Sequence, residues 1–138
     1  IYAFENAVAA LGKMCEFQNA ALDASVILPS WLASLPLTED RVEARNVHAQ
    51  LMRLLESNGQ ALMGASYEHL PRVVSVLADV LPTSGLSAKL RLVEPEVAAK
   101  MKAFLVQMQS SLPQDKLSAA WGILSAEKQA ALQTALQG

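Results

Sequence analysis

ILPSWLASL at residues 27–35, HLPRVVSVLADVL at 69–81 and SLPQDKLSAAWGIL at 111–124 decide how this chain is read. Each contains a Leu-Pro pair (Leu28-Pro29, Leu70-Pro71, Leu112-Pro113), and the pairs recur at an interval of 42 residues. The first two stretches align further: Leu28, Trp31, Leu32 and Leu35 match Leu70, Val73, Val74 and Leu77. The third keeps the Leu-Pro pair and loses that register after Pro113. A period in the low forties, carried by apolar helix-like stretches, marks a stacked array of helix pairs. The chain therefore reads as two clear repeats and one degenerate, terminal repeat.

The composition agrees with helices. Hydrophobic residues make up 52% of the 138 and aromatics only 5%. The excess lies in Ala, Leu and Val, and Ala and Leu lead the helix-propensity ranking. Apolar residues recur at three- and four-residue steps with no long alternating run, which speaks against strands. The length is that of one ordinary domain. A formal net charge of −2 gives no global attraction for nucleic acid or anionic lipid. The uncharged run from Ala24 to Thr38 is too short to span a bilayer and is broken by Pro29 and Pro36, so membrane insertion is not expected. A single cysteine, Cys15, excludes an intrachain disulfide framework. The chain starts at Ile1 with no initiator Met or signal-peptide pattern, and is expected to be part of a longer polypeptide.

Walking along the chain, a first helix is predicted from Tyr2 to Phe17, with Phe4, Val8, Leu11 and Cys15 inward. Asp23 is the expected N-cap of a second, which carries Val26, Ile27, Trp31, Leu32 and Leu35, with Pro29 in its first turn. Thr38 is expected to cap a third, with Glu39 and Asp40 in its first turn. That helix buries Val42, Val47, Leu51, Leu54 and Leu55 and stops at Asn58-Gly59. Gln60 to Met63 form a short piece before a fourth helix from Tyr67 to Leu81. Pro82-Thr83-Ser84-Gly85 is the clearest break, and Ser87 to Val93 form a short helix. Pro95 starts a fifth helix that turns Val97, Met101, Phe104, Leu105 and Met108 inward. A sixth starts at Pro113 with Leu117, Trp121 and Leu124, and Ser125 caps the last, in which Leu132 and Leu136 are the apolar contacts. The predicted fold is thus all-α: an α-α superhelix, a HEAT- or armadillo-like solenoid of antiparallel helix pairs. It comprises about three repeats and a C-terminal capping helix, forming one segment over residues 1–138, at the C-terminal end of a longer array.

Candidate chemistry is thin. A nucleophile–base pair would need Cys15 with His48 or His69, and Cys15 falls on a buried stripe where a thiol is inert. The two histidines show no metal-ligand spacing. No catalytic, cofactor or metal residues are assigned, and no enzyme activity is expected. Lys89, Arg91, Lys100 and Lys102 are too sparse for a nucleic-acid groove and lack interleaved aromatics. Trp31 and Trp121 read as core. Glu39, Asp40 and Glu43 form the densest acidic cluster. They are the candidate contacts for a basic partner, against the simpler reading of first-turn acids that answer the helix dipole.

The residues so far, in order, resemble the last HEAT repeats of the importin-β (karyopherin-β) superfamily. The nearest similarity is to receptors that import ribosomal proteins and histones, the plant-type members in particular. The matching text is Glu5-Asn6-Ala7-Val8 and Ala10-Leu11-Gly12-Lys13, then Leu28-Pro29-Ser30-Trp31-Leu32, Leu35-Pro36-Leu37 and Asp40, then Glu56-Ser57-Asn58 and Leu70-Pro71. It continues through the Trp121 segment to the Gln-Ala-Ala-Leu-Gln tail. The resemblance implies a receptor that shuttles between cytoplasm and nucleus, binds basic protein cargo, engages Phe-Gly nucleoporins weakly and releases cargo to GTP-bound Ran. In that family Ran docks largely on N-terminal repeats, which this stretch does not contain. Two other readings stay open: a HEAT scaffold subunit of another large assembly, and a free-standing helical domain that binds a ligand between its helices.

Overall fold

The computed structural model describes residues 2–17 and 24–137, and all regular structure among them is helical. The helices are α1 (Tyr2–Phe17), α2 (Ala24–Ala33), α3 (Arg41–Met63), α4 (Leu70–Val80), α5 (Pro95–Ser111), α6 (Gln114–Gly122) and α7 (Ala126–Gln137), with a 3-10 turn at Leu81–Gly85 after α4. Asp23, the expected cap of α2, lies outside the described residues.

The eight residues that align the first two repeats are all buried. Leu28, Trp31 and Leu32 lie on α2, which packs on α1 and α3, Leu35 follows just after it, and Leu70, Val73, Val74 and Leu77 are among the buried residues of α4. In the third unit the corresponding Asp115 and Ala119 are exposed, consistent with the register lost after Pro113. The three Leu-Pro pairs nevertheless occupy different places. Pro29 lies inside α2 rather than in its first turn, Pro71 in the first turn of α4, and Pro113 at the N-cap of α6. The interior Pro29 removes one backbone hydrogen bond, which the complete burial of Leu28, Trp31 and Leu32 on the same short helix offsets.

Several boundaries depart from expectation. The cap of α3 is Asp40, not Thr38: Asp40 has extended backbone (φ −92°, ψ 100°), and its carboxylate accepts from the Glu43 N–H. Leu35 and Leu37 are both buried, which pins the incoming chain and delays the first helical turn to Arg41. At its other end α3 passes through Asn58-Gly59 and continues to Met63. A helical Gly costs only about 1 kcal/mol, and burial of Leu62 beyond it outweighs that. The stop falls at Gly64, whose φ of 89° suits a residue without Cβ and whose N–H closes on the Gln60 carbonyl. The expected helix at Ser87 to Val93 is one hydrogen-bonded turn, from the Ser87 carbonyl to the N–H groups of Leu90 and Arg91. Val26 and Val42, expected inside, are exposed. Ser125 caps α7 as expected, accepting from the Lys128 N–H at 3.2 Å.

Packing advances along the chain. α1 packs on α2 and α3, α2 and α3 in turn on α4 and α5, and α4 on α6 and α7. Helix α4 is buried on nearly every side, with seven buried residues among its eleven, because neighbours cover it from both directions. Polar straps reinforce the stack. Glu16 grips Arg53 with two hydrogen bonds of 2.6 and 3.0 Å between α1 and α3, and Lys128 of α7 reaches Ser75 and Asp79 of α4. Arg72 at the start of α4 donates to the Ala33 and Leu35 carbonyls that close α2.

Candidate functional site

The acidic cluster at the start of α3 is largely committed to the fold. Asp40 caps the helix, and the Glu43 carboxylate accepts from Asn46 Nδ2 at 3.3 Å. Glu39 is the one member of the three that is exposed. The successive N–H groups of Thr38, Glu39 and Asp40 converge on a fourth acid, Glu5 of α1, at 3.2, 3.3 and 2.8 Å. Glu5 is only 5% exposed, and three amide donors with the positive end of α3 replace the water it has lost. The arginines interleaved with the cluster turn away from it. Arg41 Nη1 donates to the Leu90 carbonyl, and Arg45 Nη1 to those of Ala88 and Arg91. Around the start of α3, Glu5, Asp40 and Glu43 are thus engaged by N–H groups, while the cations reach to the segment before α5.

Cys15 is buried on α1, and burial pushes its thiol pKa up, away from the reactive thiolate. His48 is fully buried on α3 with both ring nitrogens engaged by backbone. Nδ1–H donates to the Leu92 carbonyl at 2.8 Å, and Nε2 accepts from the Leu37 N–H at 3.2 Å. Burial lowers its pKa to about 4, against the opposing pull of the Leu92 bond and of Glu5. His69 is the N-cap of α4 and makes no side-chain cap bond. Among the described residues no three His, Cys, Asp or Glu side chains gather where a metal ion could be held, and no helix is long and apolar enough to cross a membrane.

Sequence reasoning placed most of the inward stripe of α1: Val8 and Cys15 are buried and Leu11 packs half-buried against the core, while Phe4 is exposed. The buried face also takes in Glu5, Ala9 and Gly12, which the predicted stripe left out. Glu5 turns in to serve α3. Gly12 turns in because the Gln50 amide and Trp31 Nε1 occupy the space a side chain would need. Those two groups donate to the α1 carbonyls of Ala9 and Val8, at 3.2 and 3.0 Å. The opposite face is Ala3, Ala7, Ala10, Met14 and Phe17, all exposed, with Phe4 beside them; Phe17 is 76% exposed. The 4-3-4-3 spacing of that face was visible in the sequence but competed with an equally regular stripe one residue over.

A second surface feature lies at the other end of the molecule. Helices α4 to α7 form a groove of about 380 Å³ whose lining is mostly apolar, Leu105, Met108, Leu117, Trp121 and Leu132 among it, with Gln109, Gln114 and Ser118 as its polar members. Trp121 is half-buried there, whereas Trp31 belongs to the core. No protein-family model matches the sequence.

Proposed function

We propose that this chain is a segment of a protein-binding HEAT-type solenoid, and that the parent is a nuclear import receptor for basic proteins such as ribosomal proteins and histones. The observation that carries the solenoid reading is the outward face of α1. A helix that is apolar at 4-3-4-3 spacing on its exposed side, and buried on the other, has the character of an inner member of a stack. The advance of packing along the chain and the buried register of the first two repeats support it further. The transport reading rests on the sequence resemblance, which brings cargo release by GTP-bound Ran, weak contact with Phe-Gly nucleoporins and residence in both cytoplasm and nucleus. In that role this segment is non-catalytic, and Glu39 is the acid left free to meet a basic cargo. The test is capture of core histones or ribosomal proteins by the full-length parent. Release on adding Ran loaded with a GTP analogue is expected; capture indifferent to Ran would point to a scaffold subunit of another assembly.

The groove among α4 to α7 favours a second reading, a free-standing helical domain that holds a small apolar ligand. The isolated 138 residues separate the two. Self-association through α1 supports the solenoid, and a monomer with two-state unfolding supports the ligand-binding domain.

A further inference from the structure

We propose that Ser87 is a phosphorylation site whose phosphate is received by Arg41, Arg45, Lys89 and Arg91. Residues 86–90 lie between the 3-10 turn and α5, and every one of them is exposed. Ser87 opens the single turn of this segment, its carbonyl accepting from Leu90 and Arg91 N–H at 2.9 and 3.0 Å. Its hydroxyl makes no hydrogen bond among the described residues. Two guanidinium groups reach across from α3 to the same turn. Arg41 Nη1 lies 2.7 Å from the Leu90 carbonyl, and Arg45 Nη1 lies 2.8 and 3.2 Å from those of Ala88 and Arg91. Lys89 and Arg91 follow Ser87 by two and four residues.

The acids around this group do not balance it. Glu94 pairs with Arg45 at 3.1 Å and with Arg91 at 3.4 Å. Asp40 is turned to the Glu43 N–H and Glu43 to Asn46, while Glu39 stands exposed before the helix. Four cations against one paired carboxylate leave an excess of positive charge on and around the turn that Ser87 opens. A phosphate there carries close to two negative charges and three acceptor oxygens, the geometry that guanidinium groups bind in two-pronged fashion. In the modification step Ser87 Oγ attacks the γ-phosphorus of ATP on a protein kinase. The bond from that phosphorus to the bridging oxygen breaks, ADP leaves, and the hydroxyl proton passes to the kinase base. A kinase with an acidic substrate groove, able to read Lys89 and Arg91, is the class that fits.

The inference does not depend on the transport reading. Its test is a chain carrying phosphoserine inserted at position 87 during translation, titrated by phosphorus NMR. The second phosphate pKa should fall about half a unit or more below its ordinary value of about 6, and recover in Arg45→Gln and in Arg41→Gln. An ordinary value that neither variant moves would overturn the receiving pocket. Incubation of the unmodified chain with ATP and basophilic kinases of the protein kinase C type should place phosphate on Ser87, read by mass spectrometry and lost in Ser87→Ala. Absence of phosphate at Ser87 would overturn the site.

Discussion

His48 donates from Nδ1 and accepts at Nε2, so only its neutral ring keeps both bonds, one to the chain before α3 and one to the chain before α5. Protonation sets a ring N–H against the Leu37 N–H at a fully buried position. The folded-state pKa is about 4, against an ordinary 6.5, so below pH 6.5 the unfolded chain binds more protons than the folded one. The contribution of His48 to stability is therefore complete above about pH 6.5 and is lost progressively as pH falls to about 4, by about 3 kcal/mol. Urea midpoints measured across that range should fall with pH, and the slope should flatten in His48→Gln. Gly12 is the other decisive single position. Gly12→Ala drives a methyl group into the Gln50 amide and the Trp31 indole nitrogen, and should cost about 1–3 kcal/mol in urea denaturation. A neutral result would mean that α1 and α3 are less closely seated than described. Cys15 was readable as buried from its place among Val8 and Leu11. The burial of His48 was not, because a lone histidine between Val47 and Ala49 carries no sign of the two loop carbonyl and amide groups that receive it.

Helix ends show which local signals win. Ser125 and Pro95 start α7 and α5 as their types suggest, since nothing nearby competes. Thr38 loses to Asp40 because Glu5, more than thirty residues earlier, takes up the N–H groups that precede α3. No reading of 38–40 alone contains that partner. Asn58-Gly59 loses to Gly64 because Leu62 is buried beyond it, a tertiary gain larger than the propensity cost. The Glu5 contact has a direct test at this scale. Glu5→Ala should destabilise the chain by about 2 kcal/mol, and should speed hydrogen exchange at Thr38, Glu39 and Asp40 ahead of the rest of α3. Unchanged exchange at those three amides would refute the contact. For the acidic cluster the sequence left two readings open, and the structure ties Asp40 and Glu43 to the helix start, leaving Glu39 exposed.

At the scale of the molecule, the all-helical architecture was legible because helical periodicity runs through almost every segment. The inward turn of Glu5 and Gly12 on α1 was not, because the groups that meet them, the amides of Thr38 to Asp40 and the Gln50 and Trp31 side chains, lie on later elements. The exposed apolar face of α1 is the feature on which the functional reading turns. Met14→Lys with Phe17→Lys should leave the fold intact, since both side chains face outward, and should abolish concentration-dependent association of the isolated chain in sedimentation velocity. Association that persists unchanged would assign the contact to another face. The central claim, that these 138 residues are one stretch of a longer solenoid, is met most directly by the size of the native polypeptide. An antibody raised against this chain should detect a band several-fold larger than 14.8 kDa in an extract of its source. A band at 14.8 kDa itself would contradict the account and leave a self-contained helical domain in its place.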